Sequence, residues 1–483
     1  METLSRFRAR HLIMALATIN PATGETLRTF DPLDKAGIEA RLAAASRAFQ
    51  GWSRTPVNER TAIVARAGAL LDERRDEYAR LMTLEMGKLI GAARDEATKC
   101  ALVCRYYGEH GPAFIANHHI VSAGRERGYV AYHPLGAVLA VMPWNFPFWQ
   151  VIRFAAPALV AGNVALLKHA SNVPQCALAL EQLFHDAGAP LGVFQTLLVG
   201  SDAVEGIIAD QRIAAVTLTG SESAGSQVAR TAGKHLKKTV LELGGSDPFI
   251  VMPSANMERA VETAVRARTM NNGQSCIAAK RFIVHDAVAS RFERAFVDAM
   301  AALRVGDPMD PATQVGPLAH AQGVKDLQRQ IAESLAIGAK VLTGGKRLRG
   351  AGFFFEATVL SEIPANAPAY RDELFGPVAS LFTARDAAEA VRIANDTRFG
   401  LGASAWTTDA AETDLFTREL QAGSVFINGM VASDPRFPFG GVKASGFGRE
   451  LADVGLREFV NVKTVRVFAD NAGAVGRGRS ATE

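Results

Sequence analysis

From Gly136 onward, short apolar runs alternate with longer segments in which apolar residues recur at helical spacing. The runs GAVLAVM, VALLKHA, FQTLLVG, IAAVTLTG and KTVLELGG predict strands, and the segments between them predict helices. Apolar strands joined by crossovers of about a dozen residues are typical of a parallel sheet with helices on both faces. This region therefore predicts an α/β domain of the nucleotide-binding type.

A second alternating set begins near Pro248 with PFIVM, the helical segment ANMERAVETAVRARTM, the strand RFIVH and a further helix. It predicts a second α/β domain that starts after the glycine pair of LELGG. Before the first set, helices are expected between Asp34 and Tyr107, and RGYVAYHPLG predicts an extended excursion. Residues 1–18 are expected to form a disordered extension and residues 469–483 a loose tail.

Composition narrows the class of protein. The chain has 483 residues, enough for two or three domains, and its 48% hydrophobic and 21% charged residues are ordinary for globular protein. The charges are scattered and sum to +4, so nucleic-acid binding is not indicated, and no run reaches the roughly 18 apolar residues of a membrane span. The four cysteines lack metal-ligand spacing and are too few for a disulfide framework, which favours no metal and a reducing, cytoplasmic location.

Two features at predicted strand ends suit an anionic ligand. Residues 220–225, GSESAG, open a helix directly after a strand, where backbone amides and the helix dipole favour a phosphate, although such a glycine pair also makes a tight turn. Lys168 ends the strand VALLK, where it could neutralise a phosphate or bond ribose hydroxyls; a simply solvated lysine is the alternative.

Three other residues suit covalent chemistry. Asn145, in the stiff turn PWNFP, could donate to a developing oxyanion or cap the next helix. Glu242, in LELGG, is a carboxylate on an apolar strand, where desolvation raises the pKa toward that of a general base. Cys276, in NNGQSC, is either a nucleophile or an inert core residue. Thiol, carboxylate, amide donor and dinucleotide site together make one coherent reaction.

The ordered motifs PWNFP, LLKHAS, GSESAG, LELGG, NNGQSC, DELFGPV and PFGGVKASGFGRE resemble the aldehyde dehydrogenase superfamily, from Ile19 to about Val467. LLKHAS, LELGGSDPF and FINGMVASDPR look most like its succinate-semialdehyde dehydrogenase branch. The resemblance implies a Rossmann-type cofactor domain at 19–122 and 137–243 and an α/β catalytic domain at 244–445. It also implies a small β oligomerisation arm at 123–136 and 446–468, and hence a homodimer or homotetramer.

The resemblance implies a role for each candidate. Cys276 would attack the aldehyde carbon, Asn145 and the Cys276 amide would hold the oxyanion, and Glu242 would activate the water that hydrolyses the thioester. Lys168 and Glu373 would bind the two riboses, Phe375 would lie against the nicotinamide and Ser221 near the pyrophosphate. The full implied cofactor set is Trp144, Lys168, Ser171, Gly220, Ser221, Gly225, Glu373 and Phe375.

The spacing after the PWNFP turn bears on the substrate. Asn145, Trp149 and Arg153 are spaced i, i+4, i+8, roughly along one helix face, which places Arg153 about 12 Å along the axis from Asn145. There it would meet the far carboxylate of succinate semialdehyde. Some members of the branch carry a second arginine six residues before the nucleophile, where this chain has Met270. The missing contacts would come from Ser433 and Arg436, with the charge-assisted fork of Arg436 the stronger candidate.

Ser171, three residues after Lys168, bears on the cofactor. NAD-preferring relatives often have glutamate at this place, where it accepts from the ribose hydroxyl and repels a 2′-phosphate. Serine removes that charge and leaves Lys168 free to pair with phosphate, so NADP is expected to be used well, in preference to NAD.

Three alternatives stay open at this point. One is a general aliphatic aldehyde dehydrogenase. The second is a CoA-acylating semialdehyde dehydrogenase, although such relatives generally lack the base that Glu242 supplies. The third is a non-catalytic protein on the same fold, against which the joint presence of Cys276, Glu242 and Asn145 argues.

Overall fold

The computed structural model describes residues 16–120 and 126–468. The strands, in chain order, are β1 (Leu16–Ile19), β2 (Thr26–Phe30), β3 (His118–Ile120), β4 (Glu126–Pro134), β5 (Ala137–Met142), β6 (Val164–His169), β7 (Phe194–Thr196), β8 (Ile213–Thr219), β9 (Lys238–Glu242), β10 (Pro248–Val251), β11 (Arg281–His285), β12 (Lys340–Thr343), β13 (Thr358–Ser361), β14 (Val378–Ala384), β15 (Gly402–Trp406), β16 (Ser424–Ile427), β17 (Gly446–Phe447) and β18 (Val460–Phe468).

The helices, in chain order, are α1 (Lys35–Trp52), α2 (Val57–Glu73), α3 (Arg75–Met86), α4 (Ile90–Phe114), α5 (Trp149–Ala161), α6 (Pro174–Asp186), α7 (Val204–Ala209), α8 (Glu222–Lys234), α9 (Met257–Thr269), α10 (Asp286–Ala301), α11 (Ala321–Ala336), α12 (Pro368–Arg371), α13 (Ala387–Asn395), α14 (Ala410–Glu419) and α15 (Ala452–Arg457). Short 3₁₀ turns lie at Ser201–Ala203, Met270–Gly273 and Lys443–Ser445. Within the described ranges, none of these helices is both long and apolar enough to cross a membrane.

The first sheet has the strand order β17-β9-β8-β5-β6-β7, in which β5 to β9 are parallel and β17 is antiparallel to β9. The cores of β5 and β6 are fully buried, as the apolar runs in the sequence predict. The chain order reverses between β5 and β8, and ligands of open α/β sheets bind at such a switch point, outside the carboxyl ends of the strands. The loops after β5 and β8, which carry Asn145 and Gly220, meet there.

The second sheet has the order β12-β13-β14-β11-β10-β15-β16, with β12 antiparallel to β13 and the other pairs parallel. β9 ends at Glu242, and the five residues 243–247 lead directly into β10. The loop with Cys276 precedes β11, and the segment with Glu373 precedes β14, the neighbouring strand. The carboxyl edge of the first sheet is therefore joined to the edge of the second sheet that carries these two residues.

A third sheet, β18-β4-β3, forms the arm, and its position corrects the predicted limits. β3, at 118–120, belongs to the arm because it pairs with β4, although the predicted limits leave it out. β17 lies inside the predicted range 446–468 but belongs to the first sheet, and α15 packs on α4 and α5. Likewise residues 16–18 belong to β1, which pairs with β2, and not to the predicted extension. The remainder of that extension and the predicted tail lie outside the described residues.

Candidate active site

A cavity of about 270 Å³ lies where the two α/β units meet. It brings together side chains and glycines from both sheets, so residues more than 200 positions apart line one space. Those that the sequence predicts are Trp144, Asn145, Gly220, Ser221, Cys276, Glu373 and Phe375, and those that it does not are Pro143, Gln150, Thr219, Leu243 and Gly244. A second cavity of about 350 Å³ shares Trp144, Glu373 and Phe375 with the first.

The PWNFP turn is held by a buried carboxylate on another helix. Glu96, on α4, accepts hydrogen bonds from the backbone N–H groups of Phe148 and Trp149, both at 2.9 Å, and forms an ion pair with Lys88. A carboxylate on the first N–H groups of a helix satisfies donors that have no partner within the helix. Glu96, and not Asn145, therefore caps α5.

The side chain of Asn145 is fixed on two sides. Its Nδ2 donates to the carbonyl of Gln274 at 3.0 Å, and its Oδ1 accepts from Gln150 Nε2 at 3.1 Å. Below it, His169 Nε2 donates to the carbonyl of Pro147 at 2.9 Å while Nδ1 accepts from the Ala170 N–H at 3.0 Å. Burial lowers the pKa of His169 to about 4, so this imidazole is neutral and carries one N–H. The Ala170 N–H that donates to Nδ1 assigns this proton to Nε2, and the Met142 carbonyl, 3.2 Å from Nδ1, then receives no ring donor.

The backbone conformation of the loop before Cys276 explains why NNGQSC begins with two asparagines and a glycine. Asn271, Asn272 and Gly273 have φ values of 56°, 58° and 75°, a left-handed run that asparagine and glycine tolerate best. A Cβ on Gly273 would come within 2.2 Å of the Gly376 backbone. Asn271 Nδ2 donates to the Asn145 carbonyl at 2.7 Å, which ties this loop to the PWNFP turn.

A buried lysine that the sequence analysis missed holds the other side of the loop. Lys280 Nζ donates to the carbonyls of Ser275 and Cys276, both at 2.9 Å, and lies 3.2 Å from a carboxylate oxygen of Glu373. Glu373 also accepts from the Gly245 N–H at 3.1 Å. Lys280 therefore links the cysteine loop to the carboxylate that the resemblance assigns to ribose.

Cys276 is half-buried at the floor of the cavity, whereas the other cysteines, Cys100, Cys104 and Cys176, are fully buried. Desolvation raises the pKa of the Cys276 thiol to about 12, against the opposing charges of Lys280 and Arg153. The thiol is therefore neutral at pH 7 in this state. The Cys276 backbone N–H has no acceptor among the described residues, and together with the second N–H of Asn145 it offers two donors beside the sulfur.

Glu242 ends β9 but does not line the cavity with Cys276. Its carboxyl group is buried, and neither oxygen has a hydrogen-bond donor in the described part of the chain. Burial, followed by the nearby carboxylate of Glu450, raises its pKa well above the usual value, while Arg153 and Arg449 oppose this. A raised pKa makes this carboxylate, once ionised, a stronger proton acceptor than an exposed one.

The remaining predicted cofactor residues lie at the same sheet edge; Ser221 lines the cavity, whereas Lys168, Ser171 and Gly225 do not. Lys168 is half-buried at the end of β6, and desolvation lowers its pKa, opposed by Asp202. Ser171 follows in the turn after β6. Ser221 caps α8 by accepting from the Ala224 N–H at 3.3 Å. Gly225 is required by packing, because a Cβ there would lie 2.6 Å from the Leu243 side chain.

Of the two arginines predicted to bind the substrate, one is buried and one is exposed. Arg153 is buried and forms an ion pair with Glu450, and its guanidinium lies over the Phe439 ring at 4.6 Å. The predicted role of Arg436 is not supported, because its guanidinium fork binds Asp434 and its side chain is 70% exposed.

Ser433 and Trp149 both contact Lys99, a residue that the sequence analysis did not predict to be in the site. Lys99 Nζ, on α4, donates to Ser433 Oγ at 2.7 Å and lies 4.2 Å from the centroid of the Trp149 ring.

The residues that the sequence analysis missed are mostly charges whose partners lie far along the chain. Lys88 and Glu96 are buried together, and no local pattern connects them to the PWNFP turn that they hold. Lys280 had a weak signal, since it follows Cys276 by four residues at the start of an apolar strand. No group of three His, Cys, Asp or Glu side chains in the described ranges is arranged to hold a metal ion.

The chain is similar to known proteins over nearly its full length. A succinate-semialdehyde dehydrogenase [NADP(+)] of Mycobacterium avium is 54% identical over 468 residues, which cover 96% of this chain and 99% of that protein. A probable succinate-semialdehyde dehydrogenase [NADP(+)] of Synechocystis is 53% identical and covers 94% and 99%. The crystal structure of succinic semialdehyde dehydrogenase from Streptococcus pyogenes in complex with NADP+ is 36% identical, with a TM-score of 0.91 and coverage of 94% and 100%.

The fold is that of a two-domain α/β protein in which a Rossmann-type sheet and a second α/β domain meet over a loop that carries a cysteine. The profile of the aldehyde dehydrogenase family matches residues 8–465. The chain belongs to the aldehyde dehydrogenase family.

Proposed function

We propose that this protein oxidises succinate semialdehyde to succinate, with NADP preferred over NAD as the hydride acceptor. The observation that carries the proposal is the half-buried Cys276 beside the fixed amide of Asn145, in a cavity at the switch point of a Rossmann-type sheet. The names of the relatives from Mycobacterium avium and Synechocystis support the substrate and the cofactor.

The residues present fit a dinucleotide. Gly244 lines the cavity, and a Cβ there would come within 2.7 Å of Glu373 Oε2, so the absence of a side chain lets this carboxylate approach the backbone at the edge of the cavity. Glu373 would hold one ribose, Lys168 and Ser171 would hold the second ribose and its 2′-phosphate, and the first turn of α8 would face the pyrophosphate. When bound, NADP supplies the hydride acceptor.

Cys276 begins the reaction as the nucleophile. Its sulfur forms a bond to the aldehyde carbon, and the oxygen that becomes negative is held by the Asn145 amide and the Cys276 N–H. Because burial raises the thiol pKa to about 12, the S–H bond must break as the carbon–sulfur bond forms, and the proton passes to solvent. Loss of hydride from the same carbon then leaves a thioester on Cys276.

Glu242 completes the reaction by taking a proton from the water that attacks the thioester. In the described geometry it lies beside Glu450 and does not line the cavity, so the side chain must turn toward Cys276 to act as a base. Cleavage of the carbon–sulfur bond then releases succinate and restores the thiol. This base argues against release of the acyl group to CoA.

The test is the formation of NADPH by purified protein with succinate semialdehyde, beside NAD as acceptor and hexanal as an uncharged aldehyde. We expect succinate semialdehyde with NADP to give the largest kcat/KM, and succinate to form without CoA. Faster oxidation of hexanal would move the substrate to the general aliphatic aldehydes. A strict requirement for CoA would favour the acylating alternative.

A further inference from the structure

Two cations, Lys99 on α4 and Arg153 on α5, belong to helices that pack together, and only one of them has a carboxylate partner. Arg153 is paired with Glu450. Lys99 forms no ion pair with any carboxylate in the described ranges, although it is half-buried. Its ammonium donates to the neutral hydroxyl of Ser433 and lies against the Trp149 ring. A half-buried cation without a counter-charge is costly unless a ligand supplies one.

The surroundings of Lys99 show that this place suits an anion. Burial and the positive charge of Arg153 lower the pKa of Lys99 to about 8, with opposing effects from Glu96 and Asp434. Both acids are already engaged, Glu96 with Lys88 and Asp434 with Arg436, so neither neutralises Lys99. An anion bound to Lys99 would offset this repulsion between the two cations.

The position relative to the chemistry also fits. Lys99 contacts Trp149, the first residue of α5, and α5 follows directly on the turn that fixes Asn145. Ser433, the second contact of Lys99, lies in the loop 428–438 that precedes the β17 region. The ammonium therefore lies against the first residue of α5, which comes one helix turn before Arg153 and four residues after Asn145 along the chain.

We propose that Lys99 is the second cation for the distal carboxylate of the substrate, acting with Ser433 and Arg153. Lys99 thus has the role predicted for Arg436. It replaces the second arginine that some relatives carry where this chain has Met270. The assignment rests on the proposed function, because it deepens the choice of a semialdehyde with a distal carboxylate. It makes Lys99 a determinant of specificity and gives it no part in the bond-forming steps.

The test compares Lys99→Met, which keeps the stem against Trp149 and removes the charge, with wild type and with Arg105→Gln. Arg105 is a matched control on the same helix, because it is an exposed cation that pairs with Asp72. Each protein is assayed with succinate semialdehyde and with butanal, which has the same carbon count and no carboxylate. Binding of succinate, against butyrate, is measured by calorimetry without turnover.

We expect the ratio of kcat/KM for succinate semialdehyde to that for butanal to fall about tenfold or more in Lys99→Met, as loss of one charge-assisted hydrogen bond would produce. Succinate binding should weaken by a similar factor, and Arg105→Gln should match wild type in both measurements. Thermal unfolding and NADP binding of each variant show that it is folded.

The outcomes separate the two proposals. If wild type favours succinate semialdehyde and Lys99→Met keeps the same ratio and the same affinity for succinate, the role of Lys99 is wrong and the proposed function stands. If wild type itself does not distinguish succinate semialdehyde from butanal and does not bind succinate, the proposed substrate fails, and the role of Lys99 fails with it.

Discussion

The two sides of Asn145 differ in how their side chains are arranged. On the cofactor side, backbone groups and glycines make most of the shape, as at Gly220, Gly225 and Gly244, and these positions follow strand ends that the sequence marks. On the acyl side, charged side chains predominate, and the contacts of Arg153 and Lys99 are to Glu450 and Ser433, which are distant in sequence. Binding of cofactor therefore rests on topology, whereas choice of aldehyde rests on pairings between distant charges.

The largest expected effect comes from replacing Cys276, which stands between the two sides. Cys276→Ala should reduce turnover by more than about a thousandfold, because no other thiol lines the cavity. NADP should bind with unchanged affinity by calorimetry, since the cofactor side is built from other groups. Residual dehydrogenase activity near that of wild type would remove Cys276 from the mechanism.

The next effect belongs to Glu242, which is buried on the acyl side. Glu242→Gln keeps the shape but cannot accept a proton from water, so kcat should fall about a hundredfold or more. A rapid burst of about one NADPH per active site should remain in stopped-flow absorbance, because acylation of Cys276 precedes the step that is blocked. If the first NADPH formed as slowly as those of later turnovers, Glu242 would act before hydride transfer.

A smaller effect is expected on the cofactor side at Ser171. Ser171→Glu places a carboxylate near the expected 2′-phosphate, and like charges a few ångströms apart should lower the NADP to NAD ratio of kcat/KM about tenfold. Ser171→Gln is the matched control, with the same size and no charge. If the glutamate variant keeps the ratio of the glutamine variant, Ser171 does not face the 2′-phosphate.

The smallest effect is a pH dependence on the acyl side. Lys99 has a pKa of about 8, so raising the pH from 7 to 9 removes its positive charge and the attraction for a carboxylate. KM for succinate semialdehyde should rise several-fold, up to about tenfold, relative to KM for butanal. Lys99→Arg stays charged and should show a flatter profile; identical profiles for the two proteins would contradict the assignment. The charged and titratable groups that face Lys99 are Glu96, Cys100, Arg153 and Asp434.

The same contrast explains what the sequence could predict. Alternating apolar runs identified the parallel sheet, and strand ends located Asn145, Gly220, Glu242 and Lys168 at one edge, because topology brings such ends together. The motif resemblance added Cys276 and Glu373, whose neighbours come from both sheets. The positions of the residues at strand ends depend on the order of strands and helices along the chain, and hydrophobic periodicity predicts that order.

The sequence does not predict which side chains pair when they are far apart along the chain. Arg153 and Glu450 are almost 300 residues apart, and Lys99 and Ser433 are 334 apart, so no local pattern connects either pair. The fork of Arg436 predicts a carboxylate ligand, but Asp434, two residues earlier, binds that fork. A carboxylate at i−2 is close enough to pair with the arginine whatever the fold of the rest of the chain.

Helix α4 carries both Glu96, which holds the start of α5, and Lys99, which lies three residues further on. The position of Lys99 relative to the start of α5 is thus set within one helix, by the three residues or about 4.5 Å of rise that separate Glu96 from Lys99, and not by two loops that move independently. A rigid separation of this kind discriminates by chain length. Aldehydes with a three- or five-carbon backbone would have their carboxylate out of register with Lys99 while carrying the same charge as the four-carbon semialdehyde.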